Sequence, residues 1–322
     1  MRTAPTFRPG ILLIAGSLAV VAPLPALCEP VDTGSSPPES SVEEVVVSAP
    51  EPRYVAPTTR DRIGRIWAPV LINGKGPYRL VLDTGATRSA ITRPVAEELG
   101  VPIHENAVRL RGATGSSLAP AVKVQTLEVG ELLIKGTTLP IVADAFGGAQ
   151  GVLGGEGLGD KRIVIEFRKD RISIRRSKRE PATAGYSVVP FRHGLRRGMR
   201  IDVMVGRVKA TGLIDSGAQV TVGNSALRKA LARSQSGSDV PQDEIVGVTE
   251  HVQAADTLRI PGIVAGELIV RNAQIKFSDL HIFDYWNLES EPALMIGMDV
   301  LGMLDTLVID YRLGQLQIRT RP

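Results

Sequence analysis

Two stretches of the chain, 132 residues apart, carry the same order of apolar and polar positions. "APVLINGKGPYRLVLDTGA" (Ala68 to Ala86) aligns without a gap on "RIDVMVGRVKATGLIDSGA" (Arg200 to Ala218). Each holds two apolar, strand-like runs joined by a Gly or Lys turn and ends in a tight Asp-Thr/Ser-Gly-Ala turn. At the same offset "RPVAEELG" (Arg93 to Gly100) falls on "SALRKALA" (Ser225 to Ala232), and both read as short helices. Farther along, "GVLGGEGLGDK" (Gly151 to Lys161) meets "LMIGMDVLGML" (Leu294 to Leu304), each an apolar pair, then a Gly, then a short helical stretch. Last, "IVIEFRKDRISIRR" (Ile163 to Arg176) meets "LVIDYRLGQLQIRT" (Leu307 to Thr320), a strand, a turn and a strand. Two copies are too few for a solenoid. The repeat predicts two similar lobes about a pseudo-twofold axis: an all-β protein of closed, barrel-like lobes with a few short helices.

The pattern stops at both ends of this body. Residues 1–28 read as a secretory signal peptide, with Arg2 and Arg8 at the start, an apolar run from Ile11 to Val21, and small residues before Glu29. Prolines at 23 and 25 argue against a continuous membrane span, so the expectation is export to a periplasm or beyond rather than an anchor. Residues 29–62 are rich in Pro, Ser and Thr, with acids and no basic residue up to Glu51; such a tail is expected to lack order. Its "EEVVVSAP" run resembles the energy-coupling box of outer-membrane receptors, which reads as coincidence or as local strand-forming character. It is a pro-segment or a tether, with self-cleavage open. The N-terminal lobe is then 63–178, a connector 179–197, and the C-terminal lobe 198–322.

Composition narrows the class. Among 322 residues, Gly at 33 and Pro at 22 favour turns and short strands, and 4% aromatics leave the core to aliphatic side chains. The formal charge of +4 falls toward neutral once the leader is removed, which gives no reason to expect nucleic acid as a partner. The basic runs "RKDRISIRRSKRE" and "RHGLRRGMR" read as a solvated connector. Cys28 is the single cysteine, so no disulfide framework forms within the chain. The four histidines, at 104, 193, 251 and 281, show no metal-ligand spacing; neither metal nor cofactor is expected.

The chemistry sits in the repeated turns. A pseudo-twofold axis would bring Asp83 and Asp215 together at the lobe junction, each after an apolar strand and beside Gly85 or Gly217, which permit close backbone approach. Two close carboxylates share a proton: the ionised one accepts a proton from water, the protonated one hydrogen-bonds a carbonyl. A third tripeptide, at Asp32, follows no apolar strand and reads as a chance match. The paired turns, with "VLG" (Val152 to Gly154) and "MIG" (Met295 to Gly297), resemble the retropepsin-like aspartic proteases in a bacterial, two-lobed, single-chain form. The resemblance runs from about Ile66 to Arg319. It implies an aspartic endopeptidase with Asp83 and Asp215 catalytic and with Thr84 and Ser216 bonded across the axis. It also implies a monomer holding an intramolecular pseudo-dimer. Alanine after each Gly, where pepsin-like relatives carry a hydroxyl, removes a donor to the carboxylate and predicts activity at mildly acidic to near-neutral pH.

Proteases of this type close hairpins over an extended peptide. The flap expected in lobe one lies in "RLRGATGSSLAPAV" (Arg109 to Val122), with Gly112, Ala113, Thr114 and Gly115 at its tip. Its lobe-two counterpart lies in "IVGVTEHVQAAD" (Ile245 to Asp256), with Val248 and Thr249. The partner is a protein or peptide bound as a strand. Two alternatives remain: a catalytically silent peptide-binding scaffold of the cell envelope, and a phosphate loop at "GGEGLGDK" (Gly154 to Lys161), which lacks the Gly-Lys-Ser/Thr ending.

Overall fold

The computed structural model describes residues 43–46, 51–52, 67–144, 147–169, 171–194, 198–232, 242–246 and 252–321. The leader, Asp32, Val248 and Thr249 lie outside them. Residues Val42–Pro322 pack as one compact unit. No helix among the described residues is long and apolar enough to cross a membrane.

Two short strands precede the body: β1 (Glu43–Val46) and β2 (Glu51–Pro52). Lobe one follows as β3 (Trp67–Ile72), β4 (Lys75–Leu82), β5 (Ala90–Thr92), α1 (Arg93–Leu99), β6 (Ile103–Arg111), β7 (Ser116–Val129), β8 (Leu132–Val142) and β9 (Gly151–Leu153). Then come β10 (Lys161–Glu166), β11 (Arg171–Arg176) and β12 (Ser187–Pro190). Lobe two repeats the plan with β13 (Arg200–Val205), β14 (Val208–Ile214), β15 (Val222–Gly223), α2 (Ser225–Ala232), β16 (Gln242–Val246), β17 (Val252–Ala265) and β18 (Leu268–Phe277). It ends with α3 (His281–Tyr285), β19 (Ala293–Ile296), α4 (Met298–Leu301), β20 (Leu304–Asp310) and β21 (Gln315–Thr320).

Strands β7-β3-β4-β9-β5-β8 form a ring closed by the β7–β8 pairing, and β13-β14-β19-β15-β18-β17 a ring closed by β13–β17. These are two six-stranded barrels of one design. Within them β4 runs parallel to β9 and β14 parallel to β19. The opening strands β3 and β13, WAPVLI and RIDVMV, each bury alternate positions, but Ala68, Val70 and Ile72 match Ile201, Val203 and Val205 one residue out of step with the gapless offset that aligns the aspartates; β3 carries an irregularity between Val70 and Ile72. The period of two therefore survives the change of residues, which fixes the register of both barrels.

The last repeated pair is shared rather than owned by either lobe. A five-stranded sheet, β11-β10-β20-β21-β12, joins them. β10 and β20 are antiparallel with Val164 opposite Val308, Ile163 opposite Ile309 and Ile165 opposite Leu307. Antiparallel pairing centred on equivalent residues is the register a twofold demands. All four of the Ile and Leu side chains are fully buried.

Four features differ from the sequence expectation. In the stretch expected as a connector, Ser187–Pro190 forms β12 on the edge of the shared sheet, pairing with β21. The first basic run is not simply solvated: Arg175 forks onto Glu180 at 3.0 and 2.6 Å, and Arg171 and Lys169 both pair with Glu166. The stretch after "VLG" is turns rather than a helix, because its glycines break the pattern and Gly157 takes φ +73°. Only the stretch after "MIG" is helical, as α4. Finally, the tail is not unordered along its length. β1 pairs with β6 and β2 with β16, so backbone edges supply the order its composition lacks.

Candidate active site

Strands β4 and β14 each end at the lobe junction and turn sharply into Asp-Thr-Gly-Ala and Asp-Ser-Gly-Ala. The apolar run before each aspartate is buried on both faces, so both turns are held from behind. The parallel neighbour continues the ladder into the turn: the Asp83 amide donates to the Leu153 carbonyl at 2.9 Å and the Asp215 amide to the Ile296 carbonyl at 3.1 Å. Asp83 Oδ1 accepts from the amides of Gly85 (2.8 Å) and Ala86 (2.9 Å), and Asp215 Oδ1 from those of Gly217 (2.9 Å) and Ala218 (3.1 Å). Both aspartates have no exposed surface.

The two turns are locked to each other. Thr84 Oγ1 donates to the Ile214 carbonyl at 2.7 Å, and Ser216 Oγ donates to the Leu82 carbonyl at 2.7 Å. In return the Thr84 amide donates to Ser216 Oγ (3.2 Å) and the Ser216 amide to Thr84 Oγ1 (3.1 Å). Each hydroxyl thus reaches the strand before the opposite aspartate. Gly217 lies so close to the other lobe that a Cβ there would stand 2.4 Å from Asp83 Cγ. That packing brings the Asp83 and Asp215 carboxyls together.

Burial, then the negative charge and hydrogen bond of Asp215, hold the Asp83 carboxyl well above the ordinary aspartate value; the Ala86 and Gly85 amides oppose this weakly. Asp83 Oδ2 is buried and receives no donor from any N–H or hydroxyl. The carboxyl facing it donates only when protonated, so one proton between the pair satisfies both.

A second pair of carboxylates supports the turns, and the sequence reading missed it. Glu156 accepts from the Ser89 amide at 2.7 Å, while Ser89 Oγ accepts from the Gly154 amide at 3.1 Å. At the equivalent place Asp299 accepts from the Thr221 amide (2.9 Å) and hydroxyl (2.7 Å), while Thr221 Oγ1 accepts from the Gly297 amide at 3.1 Å. Burial raises the pKa of both acids, partly offset by those donors. The glycines between are needed for contact: a Cβ on Gly154 would meet the Arg88 carbonyl carbon at 2.3 Å, and one on Gly297 the Val220 oxygen at 2.6 Å. The signal was present, since Ser89 and Thr221 share the repeat offset, but the residue types change. The "GGEGLGDK" stretch is turns leading into β10, so it lacks the helix N-terminus on which a phosphate loop relies.

The stretch expected as the lobe-one flap is the β6–β7 hairpin, closed by the Gly112 amide donating to the Gly115 carbonyl at 2.8 Å. Its tip is buried against lobe two: Ala113 packs in a cluster with Leu213, Ala218, Ala255 and Leu280, and its carbonyl accepts from the Ile282 amide at 3.3 Å. Thr114 Oγ1 is buried there without a partner. The lobe-two flap is the β16–β17 hairpin, whose tip, with Val248 and Thr249, falls outside the described residues.

Residues 68–156, nearly the whole of the first barrel, match the aspartyl protease family. No curated protein sequence matches the chain.

Proposed function

We propose, from its place among the retropepsin-like aspartyl proteases, that the chain is an endopeptidase that cuts extended protein segments with Asp83 and Asp215 as its acid–base pair. The observation that carries the reading is the reciprocal Thr84/Ser216 lock, which presents two buried carboxyls to each other in matched settings. One aspartate, ionised, takes a proton from water as its oxygen attacks the peptide carbon. The other, protonated, donates to the carbonyl oxygen, so charge does not build up on it. Proton return to the leaving amine completes the cycle without a covalent intermediate. Two barrels in one chain make the site complete in a monomer. The leader-like N-terminus supports an exported protein, working in a periplasm or outside the cell.

The raised Asp83 pKa supports activity at mildly acidic to near-neutral pH, since the shared proton must survive to the working pH. The test compares wild type, Asp83→Asn and Asp215→Asn on an unfolded protein substrate between about pH 4 and 8. Each substitution should abolish cleavage, because each removes half of one acid–base machine. Retained cutting in either variant rejects the mechanism, and a wild-type optimum near pH 2 rejects the account of the shared proton. A protein that binds such segments yet leaves them whole would support a scaffold instead.

A further inference from the structure

The tail strands follow a rule that the two flaps impose. β1 runs parallel to β6, with Glu43 opposite Val108, Glu44 opposite Arg109, Val45 opposite Leu110 and Val46 opposite Arg111. The chain thus climbs the lobe-one flap and stops one residue short of Gly112, where the tip begins. β2 runs antiparallel to β16, with Glu51 opposite Val246 and Pro52 opposite Ile245. The chain therefore starts at the tip end of the lobe-two flap and descends. β6 and β16 are equivalent strands, and each runs toward its own hairpin tip. One extended peptide crossing from one hairpin tip to the other must be parallel to the first strand and antiparallel to the second. The tail meets that condition, and only four residues, 47–50, join its two halves. At ~3.5 Å per residue the ends of the two strands lie no more than about 18 Å apart.

The surroundings are those of a covered site. Both catalytic carboxyls are fully buried, and the lobe-one flap tip is docked on lobe two through the Ala113 carbonyl. The buried hydroxyl of Thr114, at the tip of the lobe-one hairpin, lacks a partner, while Asp83 Oδ2 faces Asp215. Pairing at free hairpin edges is also how a strand is captured without a pocket being remade.

We infer that the strands Glu43–Val46 and Glu51–Pro52 are a built-in pseudo-substrate: they occupy the edges of both flaps, where an extended peptide would pair, and hold the enzyme latent until they leave. The inference rests on the proposed peptide path, and it adds a regulatory role for the tail. A tethered segment acts at an effective concentration near the millimolar range. Against a free peptide whose affinity is near 100 μM, that means roughly tenfold suppression.

The test uses the full exported chain. Val45→Pro, made together with Val46→Pro, removes two successive β1 donors, which point to opposite edges of the strand, so the one that faces β6 is lost whichever it is. It should lower KM for a fluorogenic extended peptide about tenfold and reduce hydrogen-exchange protection at Val108–Arg111 and Ile245–Val246. A synthetic peptide of residues 41–54 should reverse both effects. Because the prolines could disturb folding, a second variant carries Glu44→Cys with Arg109→Cys. These positions are direct partners across one strand spacing, within disulfide reach. Oxidation should link them and silence the enzyme, and reductant should restore it. Unchanged KM and unchanged exchange in the double-proline variant, or paired cysteines that do not oxidise in the folded protein, would overturn the inference. If exchange and cross-linking behave as expected but the opened protein cuts nothing, the tail's position stands and the peptidase reading falls.

Discussion

Replacing Gly217 with alanine tests whether cross-axis contact positions the carboxyls. The backbone there is not in the left-handed region, so alanine adds no torsional strain, and its only effect is steric. The new Cβ would stand 2.4 Å from Asp83 Cγ and 2.6 Å from its Oδ2. Carbon atoms pack at about 3.5–4.0 Å, so the carboxyl must retreat by rather more than about 1 Å. Retreat also pulls Asp83 Oδ1 away from its two amides. A misplacement of about 1 Å costs about 10²-fold in rate, equivalent to ~2.7 kcal/mol at the transition state. The expected result is a kcat lower by about 10²-fold with KM within about a factor of two, because the flaps are untouched. Steady-state kinetics on one peptide would measure this, with a thermal melt to show that the chain still folds. Gly159→Ala is the control, since no atom lies within 4 Å of a Cβ there. A Gly217→Ala enzyme that is folded and has wild-type kcat would refute the claim that the close approach sets the chemistry.

Three further outcomes follow from the same contacts. Asp83 binds its proton more tightly folded than unfolded, so its contribution to stability is fullest below the unfolded aspartate value of about 3.9 and is lost as pH rises through the folded value. Asp83→Asn removes that loss, so its Tm advantage over wild type should grow from about pH 4 toward neutrality; a difference that is flat with pH contradicts the assignment. Thr84→Val strips the Ile214 carbonyl and Ser216 amide of a buried partner and should cost about 2–3 kcal/mol in urea unfolding. Combined with Ser216→Ala it should show coupling of about 1 kcal/mol, and strict additivity would argue against the lock. Arg162 is buried against the fully buried Asp310 at 3.0 Å, tying β10 to β20, so Arg162→Met should destabilise by about 3–5 kcal/mol. Adding Asp310→Leu should recover much of that, and no recovery would mean the pair matters through shape rather than charge.

Much of the body was legible because alternation and turn chemistry survive changes of residue. Matched by burial, β3 and β13 share only one identical residue, Val70 with Val203, yet alternate in the same way. The aspartates, their hydroxyl neighbours and the helices α1 and α2 followed from the same offset. What escaped was set by tertiary context. Glu156 and Asp299 occupy one role with different side-chain lengths, so identity matching overlooks them. β12 is a strand only because β21 offers an edge. β1 and β2 pair with edges far along the chain, in a segment whose composition cannot support a core of its own.

Fusion of the lobes has a consequence that two identical chains could not show. The lobe-one flap tip docks beside α3, where the Ala113 carbonyl meets the Ile282 amide and Arg111 stacks over Tyr285 with 5.3 Å to the ring centroid. Among the described residues between β8 and β9, where α3 would repeat, lobe one has turns and no helix. The two ends of the peptide path therefore meet different surfaces. The tail registers give that path a direction: its N-terminal half lies along the lobe-one flap and its C-terminal half along the lobe-two flap. A symmetric enzyme has no means to prefer one orientation of its substrate. In this chain the docked tip and α3 supply one, so Tyr285→Ala should change KM for peptides varied at one end of the sequence and leave KM unchanged for those varied at the other.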